Sequence, residues 1–302
     1  METDTRRVHL VDAFTDEPLS GNVAGVVPDA EGLSDDQLRA IAAELGASET
    51  AFLFPSEAAD RRIRYVTPTR EVDLCGHATI ASHGLLLATG ELDPGTHSLE
   101  TNVGVLEIEA RNDGTVWMEQ DEPSVRRVDA EYGRLADALG IDRAALADVG
   151  DELPVAVAST GLAFLIVPVA FLESLGDASP DPAAIEELSA AFDVTGTYAF
   201  TFDTLASDST LHARMFAPAA GVPEDPVTGT ASGACGAYLR HVGAFDGDVP
   251  AEMRFEQGHF LDRGGIVRVR TGDGVRVGGR AVQSLEGTIA VPDLGDDEII
   301  EV

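Results

Sequence analysis

The stretch Ala217–Arg240, APAAGVPEDPVTGTASGACGAYLR, decides how the chain is read. It opens with a turn broken by Pro218, Gly221 and Pro223, passes Glu224-Asp225-Pro226, and runs into Thr228-Gly229-Thr230-Ala231-Ser232-Gly233-Ala234, where every side chain is small. Proline and glycine at these positions predict a sharp turn. The small residues after it predict the first turns of a closely packed helix, whose leading N–H groups can hold a carboxylate or another anion.

The first half has a stretch of the same outline. Tyr65-Val66-Thr67-Pro68 leads through Glu71 and Asp73 to Cys75-Gly76-His77-Ala78-Thr79 and then to the apolar Ile80–Leu87. Two strand–turn–helix units of matching composition predict two related halves facing each other, with the active site in the cleft between their helix N-termini. The remaining pattern fits that plan. Strands are expected at 7–14, 23–27, 48–55, 62–66, 98–109 and 115–119, with a Ser34-capped helix at 35–45 ended by Gly46 and a second helix running to about Ala88. Charge density rises over Asp121–Asp129 and the apolar pattern stops, which puts the domain boundary there. Beyond it, helices are expected at 132–139, 143–149, 181–191 and 230–242. Strands are expected at 197–202, 211–216, 251–257, 266–269 and 275–282. The long charge-free run Leu153–Leu172 is interrupted by Pro154, Gly161 and Pro168, so it reads as two buried strands around a turn and not as a membrane span. The fold class is therefore α+β, with one domain formed by 1–120 plus about 286–302 and the other by 121–285.

Composition narrows the partners. The 302 residues carry 53 acidic against 20 basic groups, a net charge of −33, and every basic residue counted there is arginine. Such a surface repels nucleic-acid backbones and anionic membranes, which excludes both as partners. Acid excess without lysine points to a salt-rich cytoplasm, where screening makes the self-repulsion tolerable. The start, Met1–Arg7, has no apolar signal region after it, and two cysteines, Cys75 and Cys235, fit a reducing compartment. No phosphate-binding or dinucleotide glycine pattern occurs, and no His/Cys/carboxylate spacing suggests a metal, so neither cofactor nor metal is expected.

Several motifs in order along the chain resemble the PhzF-like family of phenazine-biosynthesis-type isomerases, whose fold is that of diaminopimelate epimerase. They are Val11–Thr15 with Pro18 and Gly21-Asn22, Ser48–Phe52, Arg64–Pro68, Cys75–Thr79, Ser159-Thr160-Gly161, Phe216–Pro218, Glu224–Ala231 and Phe255–Gly258. The resemblance implies two similar domains, each a curved and mostly antiparallel sheet around a central helix, and a homodimer. It also implies Glu49 as the general acid/base, with His77, Asp225 and Thr230 placing the substrate or relaying the proton. Thr230 stands where the family often has serine, which keeps the hydroxyl and narrows the pocket by a methyl.

The residues support these roles on their own chemistry. Glu49 adjoins the apolar run Ala51–Phe54, and a partly desolvated carboxylate is suited both to take and to return a proton. His77 follows Gly76 at a helix start, where an imidazole can donate or relay a proton. Gly76, Ala78, Thr228 and Gly229 let a substrate carboxylate approach backbone amides. Asp225, ahead of Pro226, can cap the helix or touch substrate; Thr228 and Thr230 can cap it too. Cys75 at a helix N-terminus can serve as a nucleophile or proton carrier, as a substrate contact or as a buried packing residue. Cys235 reads as packing. The expected function is a cofactor-independent isomerase moving a proton at a carbon of a small carboxylic or amino acid. The alternatives are a two-base epimerase or racemase using Cys75, and a noncatalytic metabolite-binding protein; a part in making phenazines rests on the family's name alone.

Overall fold

The computed structural model describes residues 4–150 and 152–293. Two compact units emerge: one from residues through Leu19, Val23–Val116 and Arg280 onward, the other from Ser20–Asn22 and Trp117–Gly279.

The first unit begins with β1 (Thr5–Ala13), β2 (Asn22–Val27), α1 (Asp35–Leu45), β3 (Thr50–Phe54), β4 (Arg61–Val66) and β5 (Glu71–Val72). It continues with α2 (Gly76–Thr89), β6 (Gly95–Thr101) and β7 (Gly104–Ala110). Helix α1 has the ends its sequence dictates. The Ser34 hydroxyl accepts from Gln37 N–H, the Gln37 side chain accepts from Ser34 N–H, and Gly46 closes the helix in the left-handed region at φ 69°. Strands β2 and β3 pair in parallel, β3 and β4 antiparallel, β4 and β6 in parallel, and β6 and β7 form a hairpin turning at Thr101 and Gly104.

The chain leaves this unit within β8 (Val116–Glu119), slightly ahead of the acidic stretch that suggested a boundary. That stretch itself contains a strand, β9 (Ser124–Arg127), paired antiparallel to β10 (Ala156–Ser159). Ladder pairing holds β9 in place; a sequence reading of Ser-Val-Arg-Arg has no apolar alternation to find. Then come α3 (Tyr132–Leu139), α4 (Ala144–Ala147), β11 (Ala163–Pro168), α5 (Leu172–Gly176), α6 (Pro182–Phe192), β12 (Gly196–Thr201), β13 (Leu211–Ala217) and β14 (Val222–Asp225). The unit closes with α7 (Gly229–Val242), β15 (Met253–Gln257), β16 (Gly265–Thr271) and β17 (Val275–Gly279). The run 153–172 does hold two strands, β10 and β11, and among the described residues no helix is long and apolar enough to cross a membrane.

One expectation needs correcting. The segment 275–282 reads as a single strand with a return to the first half near residue 286, but the strand ends at Gly279, and β18 (Ala281–Ala290) starts at once. Strand β17 pairs with β16, whereas the Arg280 carbonyl accepts from Phe14 N–H and β18 runs antiparallel to β1 from Ala281↔Ala13 to Ala290↔Thr5. The change of ladder partner, invisible in a continuous apolar pattern, divides the segment. Residues 294–302 of the expected returning tail lie outside the described residues.

Each unit is organised around one helix whose buried span carries no Asp, Glu, Lys or Arg. Residues Ala78–Leu86 of α2 are all buried, and α2 packs on β1, β3, β7 and β18; residues Ala231–Leu239 of α7 are buried against β9, β10, β11, β16 and β17. A helix apolar or small on every side must be enclosed by its sheet. Small residues set the closeness: a Cβ at Gly84 would lie 2.7 Å from that of Ala281, and one at Gly236 would lie 2.6 Å from Val269 Cγ1.

Burial inside α2 also gives a pH signature. His83 is 2% exposed, with Nδ1 2.9 Å from the Thr79 carbonyl, and burial pushes its pKa down from 6.5 to about 4. A lowered histidine pKa means the unfolded chain binds the extra proton between those values. The stability it contributes is complete above pH 6.5 and is lost as pH falls toward 4, roughly 3 kcal/mol over that window. Urea titrations from pH 7 to 4.5 should therefore show a steeper loss for the wild type than for His83→Gln; equal slopes would contradict this assignment.

Candidate active site

In the first unit, two elements bring the site residues together. The Glu49 carbonyl accepts from Gly25 N–H immediately before β3 begins, and its side chain turns to the start of α2. There the Glu49 carboxylate lies 3.5 Å from His77 Nε2, with 23% of the Glu49 side chain and 12% of the His77 side chain exposed. Cys75 is the N-cap residue of α2 with no side-chain cap bond; its Sγ lies 3.4 Å from His77 Nδ1. Gly76, His77 and Ala78 form the first turn, where backbone N–H groups have no acceptor within the helix. The glutamate is thus no solvent-facing strand end: it shares a half-buried corner with an imidazole and a thiol.

The corner is fixed from behind. The Cys75 carbonyl accepts both the Thr79 N–H, at 3.1 Å, and the Thr79 hydroxyl, at 2.7 Å; Tyr65 OH donates to that hydroxyl at 2.6 Å. Tyr65 and Thr79 are fully buried, and burial pushes the Tyr65 phenol far up, so it remains a donor. The second unit repeats the device. The Thr228 carbonyl accepts the Ser232 N–H, at 3.1 Å, and the Ser232 hydroxyl, at 2.8 Å, and Tyr198 OH stands 3.1 Å from Ser232 Oγ. Position by position, Cys75-Gly76-His77-Ala78-Thr79 corresponds to Thr228-Gly229-Thr230-Ala231-Ser232. Sequence reading found the paired stretches but not the role of their fifth residues or of the two tyrosines.

Around the start of α7, Asp225 and its neighbours form one polar network. Asp225 accepts from Asn22 Nδ2 at 2.9 Å and from the Thr228 hydroxyl; Asn22 Nδ2 also donates to the Val227 carbonyl at 2.8 Å. Gln257 completes the network, with Nε2 donating to the Asp225 carbonyl and Oε1 accepting from Thr228 N–H, at 2.8 and 3.0 Å. Thr228 occupies the N-cap position of α7, but its hydroxyl makes no cap bond, contrary to one of the roles open to it in the sequence. Thr230 is half-buried, and its carbonyl accepts from Thr160 Oγ1 at 3.3 Å.

Asn22 and Gln257 were visible only as motif letters. Alternation along β15 separates Gln257 from its neighbour Glu256, which accepts from Leu205 and Ala206 N–H and lies 2.9 Å from His212 Nδ1. Burial would raise the Glu256 carboxyl, but those N–H groups, Ser209 and His212 hold it below its ordinary value. Cys235 is fully buried, and burial pushes its thiol well up, as expected of a packing residue.

Three potential ligand atoms come together that the chain's spacing does not announce. No spacing along the chain suggested a cluster, yet Glu49, Cys75 and His77 each present a ligand atom within 4.8 Å of the others. The fold brings Glu49 to Cys75 from a separate element, and linear spacing cannot report such a contact.

A model of phenazine biosynthesis-like proteins matches residues 11–287. The chain belongs to this PhzC-PhzF family. It is 38% identical over 282 residues to the uncharacterized isomerase YfhB of Bacillus subtilis, spanning 92% of this chain and 93% of that protein. A phenazine biosynthesis protein of the PhzF family from Bacillus anthracis shares 32% identity and a TM-score of 0.86, over 95% of this chain and 100% of that one. A hydroxyproline epimerase from Agrobacterium vitis, crystallised with bound trans-4-hydroxy-L-proline, is 15% identical with a TM-score of 0.57 over 98% of this chain and 94% of that one; at that distance it shares the fold. The fold is accordingly the α+β, diaminopimelate epimerase-like one, and the chain is an isomerase of the PhzF family.

Proposed function

We propose that the chain is a cofactor-independent isomerase that moves a proton at a carbon of a small carboxylic or amino acid, with Glu49 as general acid/base. The observation that carries this reading is the pairing of a half-buried Glu49 carboxylate with His77 Nε2 at the uncapped start of α2. Glu49 takes the C–H proton, and the electron pair moves into the adjacent carbonyl or carboxylate. The first-turn N–H groups at Gly76, His77 and Ala78 are suited to bind the oxygen on which charge develops. Glu49 then returns the proton to a different carbon or to the same one, with His77 orienting the carboxylate or relaying the proton. Asp225, Thr228, Gly229 and Thr230 take the substrate-placing and proton-relaying roles of the family motif.

The geometry of Cys75 supports one acid/base over a two-base epimerase. Two bases working on opposite faces of a carbon, each about 3–3.5 Å from it, stand about 6–7 Å apart. Cys75 and Glu49 present their reactive atoms within 4.8 Å of each other, short of that spacing, and Cys235 is fully buried.

The test is deuterium incorporation at substrate carbons, followed by NMR in heavy water across a panel of small carboxylic and amino acids. Molar salt is the appropriate medium for a chain of net charge −33. Exchange or isomerisation of one compound class is expected. Binding without exchange across the panel would instead favour a metabolite-binding protein.

A further inference from the structure

Glu49, Cys75 and His77 have a property that proton transfer does not use: they offer oxygen, sulfur and nitrogen donors converging on one point. A tetrahedral zinc ion, with bonds of about 2.3 Å to sulfur and about 2.0–2.2 Å to nitrogen and oxygen, holds its donors about 3.3–3.6 Å apart. Here the Glu49 oxygen to His77 Nε2 separation is 3.5 Å, and Cys75 Sγ to the same nitrogen is 4.0 Å. All three donor atoms lie within 4.8 Å of one another, and since Cys75 Sγ is nearer to His77 Nδ1, at 3.4 Å, than to Nε2, a turn of the imidazole that presents one nitrogen to both partners would close the set. We propose that Glu49, Cys75 and His77 form a zinc site with one open position, and that the bound ion switches the enzyme off by occupying the carboxylate that moves the proton.

Charge and softness both favour this ion. The α2 N-terminus contributes about half a positive charge, which opposes a cation. A thiolate and a carboxylate together bring two full negative charges to the same point. Thiolate and imidazole select zinc and similar borderline cations, whereas magnesium and calcium prefer all-oxygen sets. Partial exposure of Glu49 and His77 leaves the ion a path from solvent. The proposal goes beyond the isomerase reading, because ion binding can be measured with no substrate present.

Cobalt(II) is the direct probe, since it accepts zinc geometry and reports thiolate ligation by a charge-transfer band in the near ultraviolet. The titration is made in molar sodium chloride with excess magnesium, which occupies the acidic surface. Wild type should show the band saturating at one cobalt per chain, and zinc should abolish it stoichiometrically. Because Cys235 is fully buried, the band reports Cys75. Cys75→Ser should remove it, and Glu49→Gln should keep it while weakening binding by at least about 10- to 100-fold, the loss typical even of an outer-shell partner. A second measurement needs no variant: zinc should protect Cys75 of the wild type from iodoacetamide, read by mass spectrometry. No band in the wild type, a band that survives in Cys75→Ser, or unchanged alkylation with saturating zinc would each overturn the site. If exchange activity is found, zinc should inhibit it and a chelator restore it. If none is found, the cobalt titration still decides the zinc site separately.

Discussion

Glu49→Gln should lower proton exchange at the substrate carbon by about 10³-fold, within the range of about 10²–10⁴ typical for loss of a positioned acid/base. The amide keeps the size of the side chain and can still contact His77 Nε2, which stands 3.5 Å from the carboxylate in the wild type. What it loses is the ability to accept a proton and give it back. Substrate held by backbone N–H groups at the start of α2 would still bind, so KM should move by no more than a few-fold while kcat carries the loss. Such a split identifies an interaction made in the transition state and not in the ground state. Solvent-deuterium incorporation measured at saturating substrate, in variant and wild type side by side, is the decisive comparison. An unchanged rate would remove Glu49 from the mechanism.

How far the sequence discloses this arrangement depends on whether the determining contact is local. Helix α1 was legible because Ser34, Gln37 and Gly46 write both of its ends within one short segment. The α2 and α7 stretches were legible because a helix enclosed on all sides carries mostly small or apolar residues, and no Asp, Glu, Lys or Arg, over its buried span. Strand β9 and the break at Arg280 were not legible, since each depends on which distant strand supplies the ladder partner. The site divides in the same way. The Cys75–Thr79 and Thr228–Ser232 hydrogen bonds span one helical turn, and their motif letters could be read as a pair. By contrast, Asn22 reaches Asp225, and Glu49 reaches His77, through folding alone. The family resemblance supplied roles for Glu49 and Asp225 but none for Asn22, Gln257, Tyr65 or Tyr198, whose work is to hold other groups still.

Gly258→Ala should destabilise the second unit by about 2–4 kcal/mol, combining a left-handed backbone cost with overpacking. Gly258 has φ 84°, and a Cβ there would lie 2.4 Å from the Arg263 carbonyl oxygen and 2.5 Å from that of Pro226. Both neighbours are backbone, so the strain cannot be relieved by turning a side chain. The turn they form does more than close a loop. Arg263 donates to the Ser20 and Gly21 carbonyls at 2.9 Å, and Gly21 N–H donates to the Gly264 carbonyl at 3.0 Å. These bonds fix the short segment that carries Asn22 onto Asp225. Pushing Pro226 away also displaces Asp225 itself, the residue before it. Activity should therefore fall about 10- to 100-fold, as expected when a substrate-placing group moves by about 1 Å. Gly272→Ala is the control, because nothing lies within 4 Å of a Cβ at that position and its backbone is not in the left-handed region. Chemical denaturation in molar salt and kcat/KM, measured on both variants, should separate them clearly. If Gly258→Ala matched Gly272→Ala in both, the turn would not be what holds Asp225 in place.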